Sequence, residues 1–304
     1  MFRFIAGVGL AGELGAGITL VSESLPKELR AIGTSIVAGF GLLGAVVANL
    51  SVELVSDWTI AYFIGGGIGL MLLVLRIGVV ESGIYTDLVN KNETTVQKGN
   101  FLSFFTNYNR FVRYIKCITI GLPTWFCIGI LCVFANQFGP ALGIVGEIDP
   151  GKAIMWAYVG ISAGDLASGF ISNKLKSRKK AILYMMLFAI VGVVLILAGF
   201  PKTATMYYVL CVWLGLGTGY WALFVTIGAE QFGTNIRATA ATTIPNMVRG
   251  ALVAMILMFD YFKPSTGVIW SALIVGVFAF GLGIYSTLTI SETHGRDLNF
   301  VEED

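Results

Sequence analysis

Apolar residues run in nine blocks along the 304-residue chain, at about 2–22, 31–51, 58–80, 115–138, 153–172, 181–199, 206–229, 241–261 and 267–290. Each is close to the roughly 20 residues a helix needs to cross a bilayer. An open chain in lipid must satisfy its backbone internally, so the blocks are predicted as helices. Pro26, Pro140, Pro150, Pro201 and Pro264 mark turns. The pattern predicts an all-α polytopic membrane protein with nine transmembrane helices. The longest polar interval, 81–114, divides it into a first part at 1–80 and a second at 115–304. The stretch 90–100 is polar throughout. Beyond it, Phe101, Phe104, Phe105, Tyr108, Phe111 and Tyr114 interleave with Arg110, Arg113 and Lys116, which predicts an amphipathic helix lying on the membrane surface.

A signature occurs twice. Glu23, Pro26 and Arg30 lie in ESLPKELR, and Glu230 and Arg237 in EQFGTNIR, 207 positions further on. The same offset aligns Gly12 with Gly219, Thr19 with Thr226 and Ala31 with Ala238, and sets Gly233 against Pro26. Block 1 thus corresponds to block 7. Two parallel six-helix repeats have this form, and internal repeats are typical of secondary transporters. Blocks 4–6 then require three counterparts ahead of block 1, so the chain is expected to lack about 90 residues at its front, through a wrong start, a disrupted gene or a natural truncation.

Composition supports the same class. Hydrophobic residues make up 56% of the chain and charged residues 12%, against roughly 25% charged in soluble domains. Fourteen lysines and arginines fall in alternate loops and the tail, four on the opposite side. The positive-inside rule then predicts a cytoplasmic C-terminus. The net charge of +2 gives no reason to expect a nucleic-acid partner. Cys117, Cys127, Cys132 and Cys211 all lie in apolar runs, so a disulfide framework is not expected. The single histidine, His294, leaves no set for histidine catalysis or a metal site.

Four stretches resemble the major facilitator superfamily in its bacterial metabolite and sugar transporter branches. They are Arg3-Phe-Ile-Ala-Gly-Val-Gly-Leu-Ala-Gly12-Glu13, the doubled signature, Gly164-Asp165-Leu-Ala-Ser-Gly169 followed by Leu175-Lys-Ser-Arg178-Lys-Lys180, and Glu292-Thr-His-Gly-Arg-Asp-Leu298. The resemblance implies that the nine helices are equivalent to helices four to twelve of the two-times-six-helix fold. It implies that Glu23, Arg30, Glu230 and Arg237 form ion-pair clusters holding the two halves together in an outward-open state. Asp165, with Gly169 and Arg178 in the same motif, would sit against the start of block 2, near Gly33 and Thr34, where a helix dipole favours an anion.

Candidate site residues are polar groups inside apolar blocks. Glu13 lies about ten residues into block 1, so about 15 Å deep at 1.5 Å per residue. An ionised group there must face protein or water, and it is read as a proton-coupling carboxylate or substrate contact, the alternative being a structural helix–helix bond. Arg249 in block 8, preceded by Pro245 and Asn246, is read as an anion site or a partner of Glu13, the alternative being a side chain snorkelling to the surface. Trp125, Asn136, Gln137, Tyr220 and Trp221 are candidate cavity residues, with Trp156 and Tyr158 as further polar aromatics.

The expected activity is secondary active transport of a small polar metabolite, a sugar or organic acid, by alternating access. The proton is the expected coupling ion and no cofactor is expected. A monomeric multi-pass protein of the plasma membrane, a bacterial inner membrane, is the expected setting. The competing reading is a non-transporting remnant, receptor or scaffold, with drug efflux a variant of the carrier. An enzyme is not expected, because no nucleophile–base pair or metal set appears in the blocks.

Overall fold

The computed structural model describes residues 7, 17, 20, 21, 24–26, 29–55, 57–75, 99–297 and 300–302. Arg3, Glu13, Glu23, Arg76 and Glu81 lie outside them. The described residues form helices and contain no sheet; one isolated bridge joins Val145 and Thr203. The helices are α1 (Arg30–Leu42), α2 (Gly44–Leu54), α3 (Trp58–Leu75), a short α4 (Ser103–Thr106), α5 (Tyr108–Ile120), α6 (Leu122–Phe126), a π-helical turn (Cys127–Cys132), α7 (Ala135–Leu142), α8 (Pro150–Leu175), α9 (Arg178–Leu197), α10 (Ala204–Thr218), α11 (Trp221–Glu230) and α12 (Arg237–Thr289). Six described stretches are long and apolar enough to cross a membrane, and the 18-residue α3 is a shorter apolar helix.

The last span, α12, runs over 53 residues, about 80 Å if straight, more than twice the hydrocarbon thickness. It is not straight. Pro264 precedes Gly267, whose φ of 79° and ψ of 172° suit a residue without a Cβ. The chain reverses there, giving the two antiparallel limbs expected from blocks 8 and 9. Helix starts are fixed by side-chain caps. Asn107 accepts from Asn109 N (2.9 Å), Asp149 from Gly151 N (2.7 Å), Ser177 from Lys180 N (3.2 Å) and Thr203 from Met206 N (3.3 Å).

Block 4, one apolar run in the sequence, is broken along its length. Gly121 ends α5, Pro123 opens α6, and the π-helical turn follows. Proline removes a ladder donor and a π-turn widens the helix, so each re-aims the side chains beyond it. The amphipathic helix expected over 101–114 takes a different form. Tyr108 onward is the first part of α5, which runs directly into the span. Phe104 and Tyr114 are buried, stacked at 4.5 Å, with Phe232 5.1 Å from Phe104. Aromatic burial against the 231–236 loop outweighs a surface position, since each ring removes a large apolar area from water.

The core of the second half is the crossing of α8 and α10. A Cβ added at Gly160, Gly164, Gly215 or Gly219 would run into the backbone of the facing helix. Small residues at this spacing let helices approach closely where lipid supplies no hydrophobic drive. The first half joins through α1, which packs on α8 and α11. Ser162 donates to Gly39 O (2.6 Å), and the Thr226 hydroxyl to that of Thr34 (2.9 Å). All four cysteines are free and buried.

Candidate functional site

A cleft of about 30 Å³ lies within the bundle, lined by Leu42, Thr124, Trp125, Ile128, Tyr158, Ile161, Trp221 and Arg249. Its walls come from irregular backbone. Thr124 and Trp125 stand on α6 just after Pro123, and Ile128 in the π-helical turn. Trp221 is the first residue of α11, beyond the break at Gly219 and Tyr220. The two indoles meet edge to face at 6.1 Å.

Arg249 supplies the charge. Its helix starts at Arg237, twelve residues earlier, so it stands about 18 Å from that end. The guanidinium carbon is 5.9 Å from the Trp125 ring and 5.8 Å from the Trp221 ring, and Nη1 donates to Asn246 Oδ1 at 3.0 Å. The side chain turns into the cleft rather than to the surface. Cation–π attraction on this scale is worth about 0.5–2 kcal/mol. Of the five guanidinium donors, one is held by Asn246. A carboxylate matches the remaining planar fork. Trp125 Nε1, buried at the same place, has no hydrogen-bond partner among the described residues.

Other candidates stand elsewhere. Tyr220 is buried and donates to Ile120 O (3.2 Å), a helix-packing bond outside the cleft lining. Asn136 and Gln137 lie on α7 towards the opposite end, where Lys263 donates to Gln137 Oε1 (3.4 Å). They are not cleft residues: eleven and twelve positions beyond Trp125, they lie about 16 Å further along the span. Trp156 is 40% exposed on the bundle exterior. Tyr158 faces Arg249 across the cleft; Leu42, Ile128 and Ile161 have no polar signal in an apolar block that would single them out, and Thr124, a hydroxyl inside block 4 that donates to Thr218 O (3.3 Å), was missed.

Arg30, Arg178, Glu230, Arg237 and Glu292 gather at the end of the bundle that carries most of the lysines and arginines. Arg178 and Glu230 form a fork-to-fork pair, Nε to Oε2 at 2.6 Å and Nη2 to Oε1 at 2.7 Å, each side chain 1% exposed. Glu292, from the tail motif, covers the start of α9 and accepts from Arg178 N (3.0 Å) and the Ser177 hydroxyl. Burial raises the Glu292 pKa, but hydrogen bonds from Ser177, His294, Arg178 and Thr293 outweigh it and hold the carboxyl below its ordinary value. The pair is internal to the second half. Among the described residues, contacts between the halves at this end include Thr34 with Thr226 and Arg30, whose Nη1 donates to Arg296 O (3.4 Å); Glu23 lies outside the described residues. Arg237 is fully buried.

Asp165 also departs from expectation. It lies inside α8, and its Oδ1 accepts from Ala222 N (2.9 Å), so it caps α11 where that helix restarts, not the start of block 2. Gly169 is buried one turn further along α8. Gly233 replaces the proline of the first signature for a steric reason: a Cβ there would lie 2.5 Å from Glu302 N, where the tail crosses.

The family model described as Major Facilitator Superfamily matches residues 1–258. The chain belongs to that superfamily. Relatives within it include the gentisate transporter of Corynebacterium glutamicum, 24% identical over 276 residues, covering 83% of this chain and 58% of that protein. The benzoate transport protein of Acinetobacter baylyi is 24% identical over 288 residues, covering 84% of this chain and 61% of that protein. A niacin transporter of the same organism is 39% identical over a shorter 93-residue stretch, 30% of this chain and 21% of that protein. The chain thus spans about three-fifths of the length of the first two. As a major facilitator chain it is an α-helical, multi-pass membrane protein of a transporter family, not an enzyme.

Proposed function

We propose that the protein carries small organic carboxylates across a membrane, with Arg249 as the carboxylate-binding residue and Trp125 and Trp221 as the walls that receive an aromatic or apolar body. The observation that carries this reading is the guanidinium poised over two indoles inside the bundle. Its support from relatives is chemical: gentisate, benzoate, niacin and sialic acid, named for four of them, share an acidic carboxyl group. A neutral sugar would leave the arginine without a counter-charge, and a buried unpaired charge costs several kcal/mol.

The cleft holds only a water-sized occupant in this conformation. A benzoate-sized anion requires the helices to part. The breaks at Gly121–Pro123, at the π-helical turn and at Gly219–Tyr220 border the cleft and are where such movement can be absorbed. Alternating access then consists of opening one end while the contacts of Thr34 with Thr226 and Arg30 with Arg296 close the other. In this reading the basic end is cytoplasmic and the protein works as a monomer. Coupling is to protons through Glu13, which lies outside the described residues.

Uptake of labelled benzoate, gentisate and a neutral hexose into proteoliposomes tests the reading. It predicts carboxylate accumulation driven by an inward proton gradient and lost in Glu13→Gln. Preference for the hexose, or accumulation indifferent to the gradient and to Glu13, contradicts it.

A further inference from the structure

Asp165 is an acid deep in the bundle with no cation beside it. It lies fifteen positions into the 26-residue α8, so about 22 Å from one end and about 15 Å from the other. It is 0% exposed. Its Oδ1 accepts from Ala222 N at 2.9 Å, and its Oδ2 has no partner among the described residues. Buried polar atoms are nearly always paired, and an ion in an apolar bundle must be compensated. The charged groups of the neighbouring elements are committed elsewhere. Arg178 of α9 is held by Glu230 of α11, Arg249 of α12 by Asn246 and two indoles, and Arg30 of α1 by Leu25 O and Arg296 O. The buried thiols of Cys127, Cys132 and Cys211 supply no positive charge, and the phenol of Tyr207 on α10 donates to Leu131 O. On α8 itself, Tyr158 stands two turns away, in the cleft.

An oxygen with no accessible surface excludes a metal ion or a solute and admits a proton. A proton also supplies the missing charge and turns Oδ2 into a donor. Buried hydroxyls lead from this position towards the basic end. Ser168 and Ser172 follow on the same face of α8, both 0% exposed, and Ser172 Oγ has no partner among the described residues. On α11 the Thr226 hydroxyl meets Ala222 O (2.8 Å) and Thr34 Oγ1 (2.9 Å), and Thr34 donates to Arg30 O (2.9 Å). The position also ties Asp165 to the Arg249 cleft. Ile161, one turn earlier on α8, and Trp221, the residue before Ala222, both line it. An ionised carboxylate holds the start of α11 by a charge-assisted bond at the positive end of that helix. A neutral acid makes a bond about half as strong.

We infer that Asp165 is a proton-binding site of this protein, and that its proton loosens the start of α11 so that Trp221 yields to an anion at Arg249. Proton and anion then bind together. The proton site stands independently of the cargo, whereas its link to the cleft rests on the carboxylate reading above. Asp165 is thus a second acid for coupling, on a different helix from Glu13.

Infrared difference spectroscopy of the purified, unliganded chain, stepped from alkaline to acidic buffer, tests the proton site. The wild type should gain a protonated-carboxyl band that is missing in Asp165→Asn and in Asp165→Ser. Both variants keep an oxygen that can cap α11, so a purely structural role predicts no spectral difference. Identical difference spectra for the wild type and either folded variant overturn the inference and make Asp165 a permanently ionised cap. Tryptophan fluorescence titration with benzoate at a series of pH values tests the link to the cleft. Wild-type affinity should fall by up to about tenfold per pH unit once Asp165 is ionised, the linkage of one proton. Asp165→Asn should keep at alkaline pH the affinity that the wild type has at acidic pH. The same pH dependence in both proteins overturns the link. Absence of benzoate binding at every pH contradicts the carboxylate reading instead, and the infrared comparison alone then decides Asp165.

Discussion

Two arginines in this protein stand in opposite circumstances. Arg178 is matched by a carboxylate: Glu230 meets it through two bonds at 2.6 and 2.7 Å, with both side chains 1% exposed. Arg249 has aromatic faces and one neutral amide around it, beside a cavity. No described carboxylate pairs with Arg249. The difference separates a charge that holds helices from a charge that awaits a ligand. In an apolar bundle an ion must be compensated somewhere. At Arg178 the compensation is built in, and at Arg249 a substrate anion can supply it.

The largest effect that would break this contrast is on stability. Arg178→Met should leave Glu230 buried and unpaired, a loss of about 3–5 kcal/mol, and should sharply lower the unfolding temperature in detergent. The double variant Arg178→Met with Glu230→Met should recover most of it. Arg249→Met should not lower the unfolding temperature of the unliganded protein, since it removes a charge that has no partner carboxylate. If the two single variants are equally destabilised, the contrast fails.

A second effect is on binding. Hydrogen bonds to charged groups contribute about 1.5–3 kcal/mol, so Arg249→Met should weaken benzoate binding by about ten- to a hundredfold. Arg249→Lys should recover only part, since an ammonium lacks the planar fork.

Next in size is packing. Gly160→Leu or Gly215→Leu forces a side chain into the facing backbone, with about 1–3 kcal/mol or more of overpacking. Thermal unfolding should show a loss for both, whereas Gly65→Leu on α3, whose added Cβ meets nothing, should be neutral.

The smallest effect sharpens the Arg178 side. Glu292 has a lowered pKa when folded. Its stabilising contribution is therefore present above the unfolded carboxyl value of about 4.3 and fades as pH falls through the folded value. Unfolding temperature measured from pH 7 downwards should show a drop at acidic pH that is reduced in Glu292→Gln. An identical profile for both would remove Glu292 from the account.

Much of the fold is written in one-dimensional features. Nine apolar blocks and a 207-residue repeat point to the superfamily, because bilayer thickness and backbone satisfaction leave few alternatives. Arg249, Trp125 and Trp221 were visible as polar or aromatic residues inside apolar blocks. Their meeting was not, because it depends on how far each helix is rotated. Block 4 shows why: Pro123 and the π-helical turn interrupt its regular ladder, so the face that Trp125 presents does not follow from spacing alone. The pairing of Arg178 with Glu230 spans 52 positions and has no local signal. Neither has the capping of α11 by Asp165, which needs the break at Gly219 to expose Ala222 N. The aromatic run at 101–114 has the right amphipathic pattern, but its buried partner, Phe232, lies more than a hundred residues away.

The central claim is that Arg249 receives a carboxylate between Trp125 and Trp221. Tryptophan fluorescence titration of the purified chain with benzoate tests it most directly, with unfolding temperature recorded in parallel. The account predicts saturable quenching in the wild type, weakened at least tenfold in Arg249→Met at an unfolding temperature no lower than that of the wild type, and absent with benzyl alcohol. Equal titrations for wild type and Arg249→Met, or a response to benzyl alcohol as strong as that to benzoate, would contradict it.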